Sequence, residues 1–391
     1  MRLRKGFSGV AEVRIPTARG SQKCDLTQAR QAAIGGLECR CQKTCSHFKI
    51  QVSILAFALM TPRIALLLIG CCSAALPVPE SMAGDLQGPV LTMTEENDLF
   101  VQTDRHYSQG LRLTYMMGDN EIPEWFDRGP ANIDRFGMKI QATKFGFAIG
   151  QNIFTPADIS IPTLIPNDRP YAGWLYAGLL YQRRGVTAKG RPALDNFELD
   201  LGVVGEESLG RYAQTKVHQI RGIGLPQGWD NQIRTEPGIA LKHTRMWLFR
   251  AGKEGSSLDF IPQIGASLGN VQTHLASGFT VRLGYNAPED FGTGTIDAPV
   301  AEQGAKKHNW GAYVFGGVDG RLVGYNVSLD GNTFRNSHNV QKNWAVADLR
   351  FGAALILKKV ELSYTFVVRT KEFREQTEHD EFGSVAMKIK F

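Results

Sequence analysis

The sequence predicts an all-β fold, a transmembrane antiparallel barrel of about twelve strands with a short helix at the barrel mouth. Three observations predict it. The closing segment 384–391 alternates strictly, with Val385, Met387, Ile389 and Phe391 on one face and Ser384, Ala386, Lys388 and Lys390 on the other. A period of two with one apolar and one polar face suits a strand between lipid and lumen. The same pattern recurs upstream, as in Phe197, Leu199, Leu201 and Val203 against Asn196, Glu198, Asp200 and Gly202. Finally, no apolar run of about 18 residues occurs after the leader, which excludes spanning helices and leaves a closed barrel as the way to satisfy the backbone in lipid.

From the start of the chain, residues 1–59 are basic and cysteine-bearing and precede a better start at Met60, so they are expected to be a mis-assigned upstream extension. Residues 60–83 read as a secretory signal: Arg63 leads a short apolar run, and Ser81-Met82-Ala83 offers small residues for cleavage. Leu68-Ile69-Gly70-Cys71 has the letters of a lipoprotein box, but from Met60 the apolar run before it is too short, and lipidation is not expected. Residues 84–391 are the expected barrel domain. Alternating segments start near residues 89, 107, 142, 171, 194, 236, 257, 273, 309, 341, 358 and 381. An even count suits a bacterial barrel, and one this narrow is expected to be filled by side chains. Two stretches break the pattern. Residues 119–136, with Trp125 and Phe126, suggest a short helix at the membrane interface. Residues 209–221 place Leu209, Ala213, Val217 and Ile220 on one helical face and Gln214, His218 and Arg221 beside it, which suggests a helix across the barrel mouth. A soluble β-sandwich or lipocalin-like barrel alternates in the same way, but the signal and Phe391 favour the membrane.

Charge and cysteine narrow the function. Of 44 Lys and Arg, 11 precede residue 84, and of 38 Asp and Glu, 4 do, so the remainder carries 33 basic against 34 acidic groups. That near-neutral balance gives a nucleic-acid partner no support. All six cysteines precede residue 73, which removes thiolate chemistry and disulfides from the rest.

Oxygen and nitrogen groups remain. Glu95-Glu96-Asn97-Asp98 ends the first strand with a ligand set that suits a hard cation, or equally a solvated strand end. Alternation points Glu96 and Asp98 inward and Asn97 outward, so for Asn97 to act with them the strand must bulge or stop there. Ser108, opposite in phase to Tyr107, Leu111 and Leu113, is expected to face inward beside the first strand; the bland alternative is a turn serine. His218, one helical turn after Gln214, is the candidate general base, the alternative being an exposed helical histidine. Gly265-Ala266-Ser267-Leu268-Gly269 has the letters of a nucleophile elbow but lies inside a strand with no helix following.

Several separate motifs converge on one family. Glu96-Asn97-Asp98, Asp104-Arg105-x-Tyr107-Ser108-x-Gly110, Gly150-Gln151-Asn152-Ile153-Phe154-Thr155-Pro156, Asn167-Asp168-Arg169-Pro170-Tyr171-Ala172-Gly173-Trp174, Gln214-x-x-x-His218 and Gly228-Trp229-x-x-Gln232 resemble the outer-membrane lipid A 3′-O-deacylases. The resemblance spans about residues 89–391. It implies a barrel whose active site opens sideways to the outer leaflet and removes the 3′-linked acyloxyacyl group of lipid A with Ca²⁺. It assigns catalysis to Asn97, Asp98, Ser108, Gln214 and His218. In this reading Asp98, with Glu96, holds Ca²⁺, His218 takes a proton from water, and Arg169 and Arg221 meet the substrate. There are departures: the family's acidic residue six after the histidine is Gly224 here, and its basic residue between the third and fourth strands has no counterpart in 157–166, a charge that Arg169 partly replaces.

The expected partner is thus lipid A or lipopolysaccharide of the outer leaflet, approached by a monomer in the cell outer membrane after export through the periplasm. Two other readings stay open at this point: a phospholipase using Ser108 as nucleophile with His218, and a non-catalytic barrel acting as a narrow channel or lipopolysaccharide-binding scaffold.

Overall fold

The computed structural model describes residues 88–101, 105–127, 137–253, 255–296 and 309–391, together with a two-rung ladder pairing Val13–Arg14 with Lys23–Cys24. The expected upstream extension and signal otherwise lie outside the described residues. Twelve antiparallel strands form the barrel: β1 (Val90–Asn97), β2 (His106–Met116), β3 (Met138–Thr155), β4 (Ala172–Thr187), β5 (Pro192–Val204), β6 (Glu236–Trp247, continued by Phe249–Lys253), β7 (Ser256–Gly269), β8 (Gln272–Tyr285), β9 (Trp310–Asn326), β10 (Ala345–Leu357), β11 (Val360–Arg369) and β12 (Asp380–Lys390). Each pairs with its neighbours in sequence, and β12 pairs with β1 from Lys390↔Val90 to Gly383↔Asn97, closing the ring. Observed strand starts fall within four residues of those read from the alternation.

Two faces follow from the pleat. On the outer phase Leu111, Leu113, Phe147, Ile149, Leu201, Leu241, Leu275, Leu349 and Phe351 are exposed, as lipid contact requires. On the inner phase the lumen is filled by paired charge. Arg112 grips Glu198 with two hydrogen bonds of 2.8 and 2.9 Å, Lys242 bridges Glu198 at 3.1 Å and Asp200 at 2.7 Å, and Arg282 meets Asp259 at 2.7 Å and Asp290 at 2.5 Å. Buried charges persist where partners satisfy them.

After β8 the chain turns back inside. Phe291 is buried among Leu194, Met246, Leu248 and Ile261, Gly292 O accepts from Lys388 Nζ at 3.0 Å, and the Ile296 amide donates to Glu96 Oε1 at 2.8 Å. This segment therefore climbs the lumen from the end holding Val90 and Lys390 to the opposite end, where β1 stops.

At that opposite end three loops interlock. Arg169, from the β3–β4 loop, donates to Glu372 at 2.9 Å and to Ser328 Oγ at 2.6 Å, and lies 4.9 Å over the Phe154 ring. His106 sits between Asp380, at 2.6 Å, and Asp168, at 3.6 Å. Of the two expected helical stretches, α1 (Glu124–Asp127) sets Trp125 and Phe126 against Phe145, while α2 is Gly210–Arg221; a third short helix, α3 (Val327–Asp330), follows β9.

Candidate active site on the outer wall

Helix α2 corrects the expectation of a helix across the mouth: it packs on the outside of the barrel. Ile153, on the outer phase of β3, is fully buried in a cluster with Tyr171, Trp229, Ile159 and Ala213 of α2. The preceding turn is anchored to the same wall, since Gln151 Nε2 donates to Ser208 O at 2.6 Å. Close approach here depends on Gly173, where a Cβ would fall 2.0 Å from Ser208 Oγ. Gly222, at φ 68°, ends the helix in a left-handed cap. At that far end the charge of Arg221 acts on Glu95, which lies on the outer phase of β1. Twelve residues at about 1.5 Å each span roughly 18 Å, enough to cross from β3 over β2 to β1. His218, near the β1 end, is thereby carried over the strands that hold Asn97 and Ser108.

The inner face of α2 is polar and enclosed. Gln214 and His218 are both 2% exposed. Trp229 Nε1 donates to Gln214 Oε1 at 2.8 Å, which fixes the amide, while Gln214 Nε2 is buried and has no protein partner among the described residues. An orphaned donor in such a place calls for a water or substrate oxygen. His218 Nδ1 meets Gly224 O at 2.5 Å. A carbonyl only accepts, so Nδ1 carries the proton and Nε2 is the basic nitrogen of the neutral ring. Gly224, which lacks the acid expected from the resemblance, thus orients the histidine through its backbone.

On the wall beneath, β1 stops at Asn97 and Asp98 opens a 3₁₀ turn, Asp98–Val101, so the strand ends where Asn97 needs it to. Asn97 and Asp98 are both buried, and Asp98 Oδ2 accepts from the Arg105 amide at 2.6 Å, closing the β1–β2 loop. The inward reading of Ser108 is corrected by a β-bulge between Tyr107 and Gln109. Tyr107 turns into the lumen instead, donating to Glu96 Oε2 at 2.8 Å, and Ser108 Oγ meets Thr155 Oγ1 at 2.7 Å, on the β3 phase opposite Phe154.

Two assignments part from the group. Glu96 points into the lumen, where Tyr107, the Ile296 amide and Ser384 Oγ donate to its oxygens, so the barrel wall separates it from His218. The expected pairing of Glu96 with Asp98 around a cation at this site therefore loses Glu96, whose oxygens are engaged in the lumen. Arg169 has no exposed surface and is held by Glu372 and Ser328 in the loop lock, which corrects its assignment to substrate. Arg221 is exposed at the end of α2.

Of the residues that the sequence singles out, those on the strands beneath α2 with oxygens suited to a hard cation are Asn97 and Asp98, where β1 ends, and Ser108 of β2. No three His, Cys, Asp or Glu side chains are grouped for a metal among the described residues. One carboxylate with neutral oxygens fits Ca²⁺ only as a weak site whose shell is completed by water and substrate oxygens.

Trp229 and Thr155 stood in the family motifs without a role, and the Gly224 carbonyl was missed, since Gly224 was read only as the absence of an acid. Glu95 carried a legible signal: a charge on the lipid-facing phase of a strand is costly and needs a reason.

The profile of the family described as "Outer membrane protein LpxR" matches residues 66–391, most of the chain. The chain belongs to the LpxR family. It is therefore an outer-membrane β-barrel of the lipid A 3′-O-deacylase family that its motifs resemble. Among solved structures, LpxR from Salmonella typhimurium superposes with a TM-score of 0.64 at 23% identity, covering 77% of this chain and all of that one, which agrees with the LpxR fold. The β domain of the Bordetella autotransporter BrkA gives 0.40 at 9% identity, covering 78% and 100%. The translocator domain of NalP from Neisseria meningitidis gives 0.36 at 9%, covering 80% and 91%. No curated protein sequence matches the chain.

Proposed function

We propose that this LpxR-family barrel hydrolyses the ester of the 3′-linked acyloxyacyl group of lipid A, with His218 as general base. The observation that carries the reading is the inner face of α2: a buried histidine with an oriented ring and a buried glutamine with an orphaned donor, set against the lipid-facing wall. A site there meets a substrate that lies in the leaflet and needs no path through the charge-filled lumen. Turns of four and two residues (188–191, 358–359) lie at the end opposite the site, while the long connections 156–171, 205–235 and 327–344 lie on its side, and bacterial barrels keep short turns on the periplasmic side and longer loops outside. The site then faces the outer leaflet.

In the reaction, Nε2 of His218 takes a proton from water as it attacks the ester carbonyl, and the imidazolium then protonates the leaving alkoxide. Gln214 Nε2 donates to the attacking water or to the developing oxyanion, a group stabilised by a preset donor. Ser108 and Asn97 hydrogen-bond the carbonyl side. Asp98, with Asn97, would hold Ca²⁺, which when bound supplies Lewis-acid stabilisation of the carbonyl oxygen.

The test is mass spectrometry of lipid A from a Gram-negative host expressing the chain, wild type beside His218→Ala, with and without Ca²⁺. Loss of one acyloxyacyl unit in the wild type alone supports the reading. Unchanged lipid A with a folded barrel, and release of fatty acid from glycerophospholipid instead, favours the phospholipase alternative.

A further inference from the structure

Helix α2 has its amphipathicity turned inside out. Its polar residues Gln214 and His218 are buried against the wall, while Leu209, Tyr212 and Ile220 are 55%, 64% and 73% exposed. Leu209, Tyr212, Lys216 and Ile220 recur at intervals of three and four, so they form one stripe on the side away from the wall. Ile223 and Leu225, just past the helix, are also exposed and extend the apolar surface. A helix in water would present the opposite face.

Leu209 deepens the point. It precedes the helix with φ 61°, a left-handed conformation in which glycine is at ease and a leucine is strained. A side chain kept there despite that strain, and kept exposed, has a use outside the protein fold.

The outer phase below α2 is continuous apolar wall, with Leu111, Leu113, Phe147 and Ile149 between 41% and 57% exposed. Basic groups accompany the stripe: Lys216 lies within the row, its Nζ 5.7 Å from the Tyr212 ring, and Arg221 follows Ile220 at its end. Apolar side chains continuous with the lipid-facing wall, with long cationic side chains that can keep their stems among them and carry their charges outward, match an acyl layer edged by phosphates. We propose that α2 is an interfacial helix whose Leu209–Tyr212–Ile220 stripe sits among the acyl chains of outer-leaflet lipid, with Lys216 and Arg221 at the phosphate level. The helix that bears His218 is then held between wall and membrane, and its position responds to lipid packing. This inference rests on the outer-membrane location and stands apart from the reaction proposed above.

The experiment places a reporter on the stripe. The Ile220→Trp chain, purified folded from outer membranes, is reconstituted into phosphatidylcholine vesicles with bromine carried either near the headgroup or near the chain end. Its emission is read as the difference from the unsubstituted chain. The added tryptophan is expected to emit blue-shifted, and to be quenched at least two-fold by bromine near the headgroup and less by bromine near the chain end, since interfacial helices sink about 5–10 Å. Emission at the water-exposed wavelength without quenching overturns the proposal. So does efficient cross-linking of two copies through Ile220→Cys in dilute vesicles, which would make the stripe a contact between protomers.

Discussion

Replacing Arg169 by methionine separates a loop lock from a substrate contact. The guanidinium is enclosed, 2.9 Å from Glu372 and 2.6 Å from Ser328 Oγ. Methionine keeps the apolar stem against Phe154 but removes the charge. Breaking a buried pair by deleting one partner costs about 3–5 kcal/mol, because the other charge stays behind. Arg369 remains 3.9 Å from the same carboxylate, which places the expected cost near the lower end, about 3 kcal/mol. The loss should appear as local opening of loops 156–171, 327–344 and 370–379, so amide hydrogen exchange there is expected to speed up by roughly 10², with the strands little changed. The pH dependence should change as well. Burial alone would raise the Glu372 pKa, but the charges of Arg169, Arg369 and Arg321 outweigh it and hold the carboxyl below its usual range. A lowered native pKa gives stability that is present above the ordinary glutamate pKa and lost as pH falls through the native value. In the variant that contribution shrinks, so loop opening depends less on acid. Unchanged loop exchange together with a raised KM for lipid would refute the loop-lock account and restore Arg169 to the substrate.

Four further outcomes are expected. His218→Ala should lower the deacylation rate by about 10²–10⁴ with the barrel still folded, read by mass spectrometry of lipid A. Trp229→Phe removes the donor to Gln214 Oε1, and should cost about 1–3 kcal/mol in holding α2 to the wall and lower kcat more than it alters KM, measured by denaturant melts and kinetics in mixed micelles. Gly224→Glu should be tolerated, since a Cβ there meets no atom within 4 Å and the orienting carbonyl is unchanged; loss of folding by electrophoretic heat-modifiability would contradict this. Asp168 is held below the usual aspartate range because the neighbouring His106, at 3.6 Å, and hydrogen bonds from the amides of Ala157 and Arg169 outweigh its burial. Its stabilisation is complete above the ordinary aspartate pKa and lost as pH falls through the lowered value, so proteolysis in loop 156–171 should speed up below about pH 4.

The barrel was legible because lipid enforces a rule on every strand: a one-residue slip would put Glu198 and Asp200 in hydrocarbon, so the pattern in the letters is the pattern in space. Helix α2 was legible in extent for a related reason, since the helical spacing over 209–221 is a local signal, although the left-handed cap that ends it is Gly222 and not the later Leu225-Pro226. What its polar face would meet was not, because helical period says which residues share a side and nothing about the surface opposite. The luminal segment around Phe291 left no trace either. Its apolar content is slight, and its place is set by partners as distant in sequence as Glu96 and Lys388.

Ser108 shows how a single irregularity redirects the chemistry. Alternation counted back from Leu113 and Leu111 puts Tyr107 in lipid and Ser108 in the lumen, which would have set the hydroxyl beside Glu96 and separated both from a helix outside. The bulge inverts that order: the phenol takes the luminal place and satisfies Glu96, and the serine is released to Thr155. The consequence extends along the wall. With Glu96 consumed inside the barrel, the carboxylates on the β1 end among the described residues are Asp98 and Glu95, the second within the influence of the Arg221 charge. Any cation there depends on Asp98, on neutral oxygens and on the substrate itself, so metal affinity should rise when lipid is present.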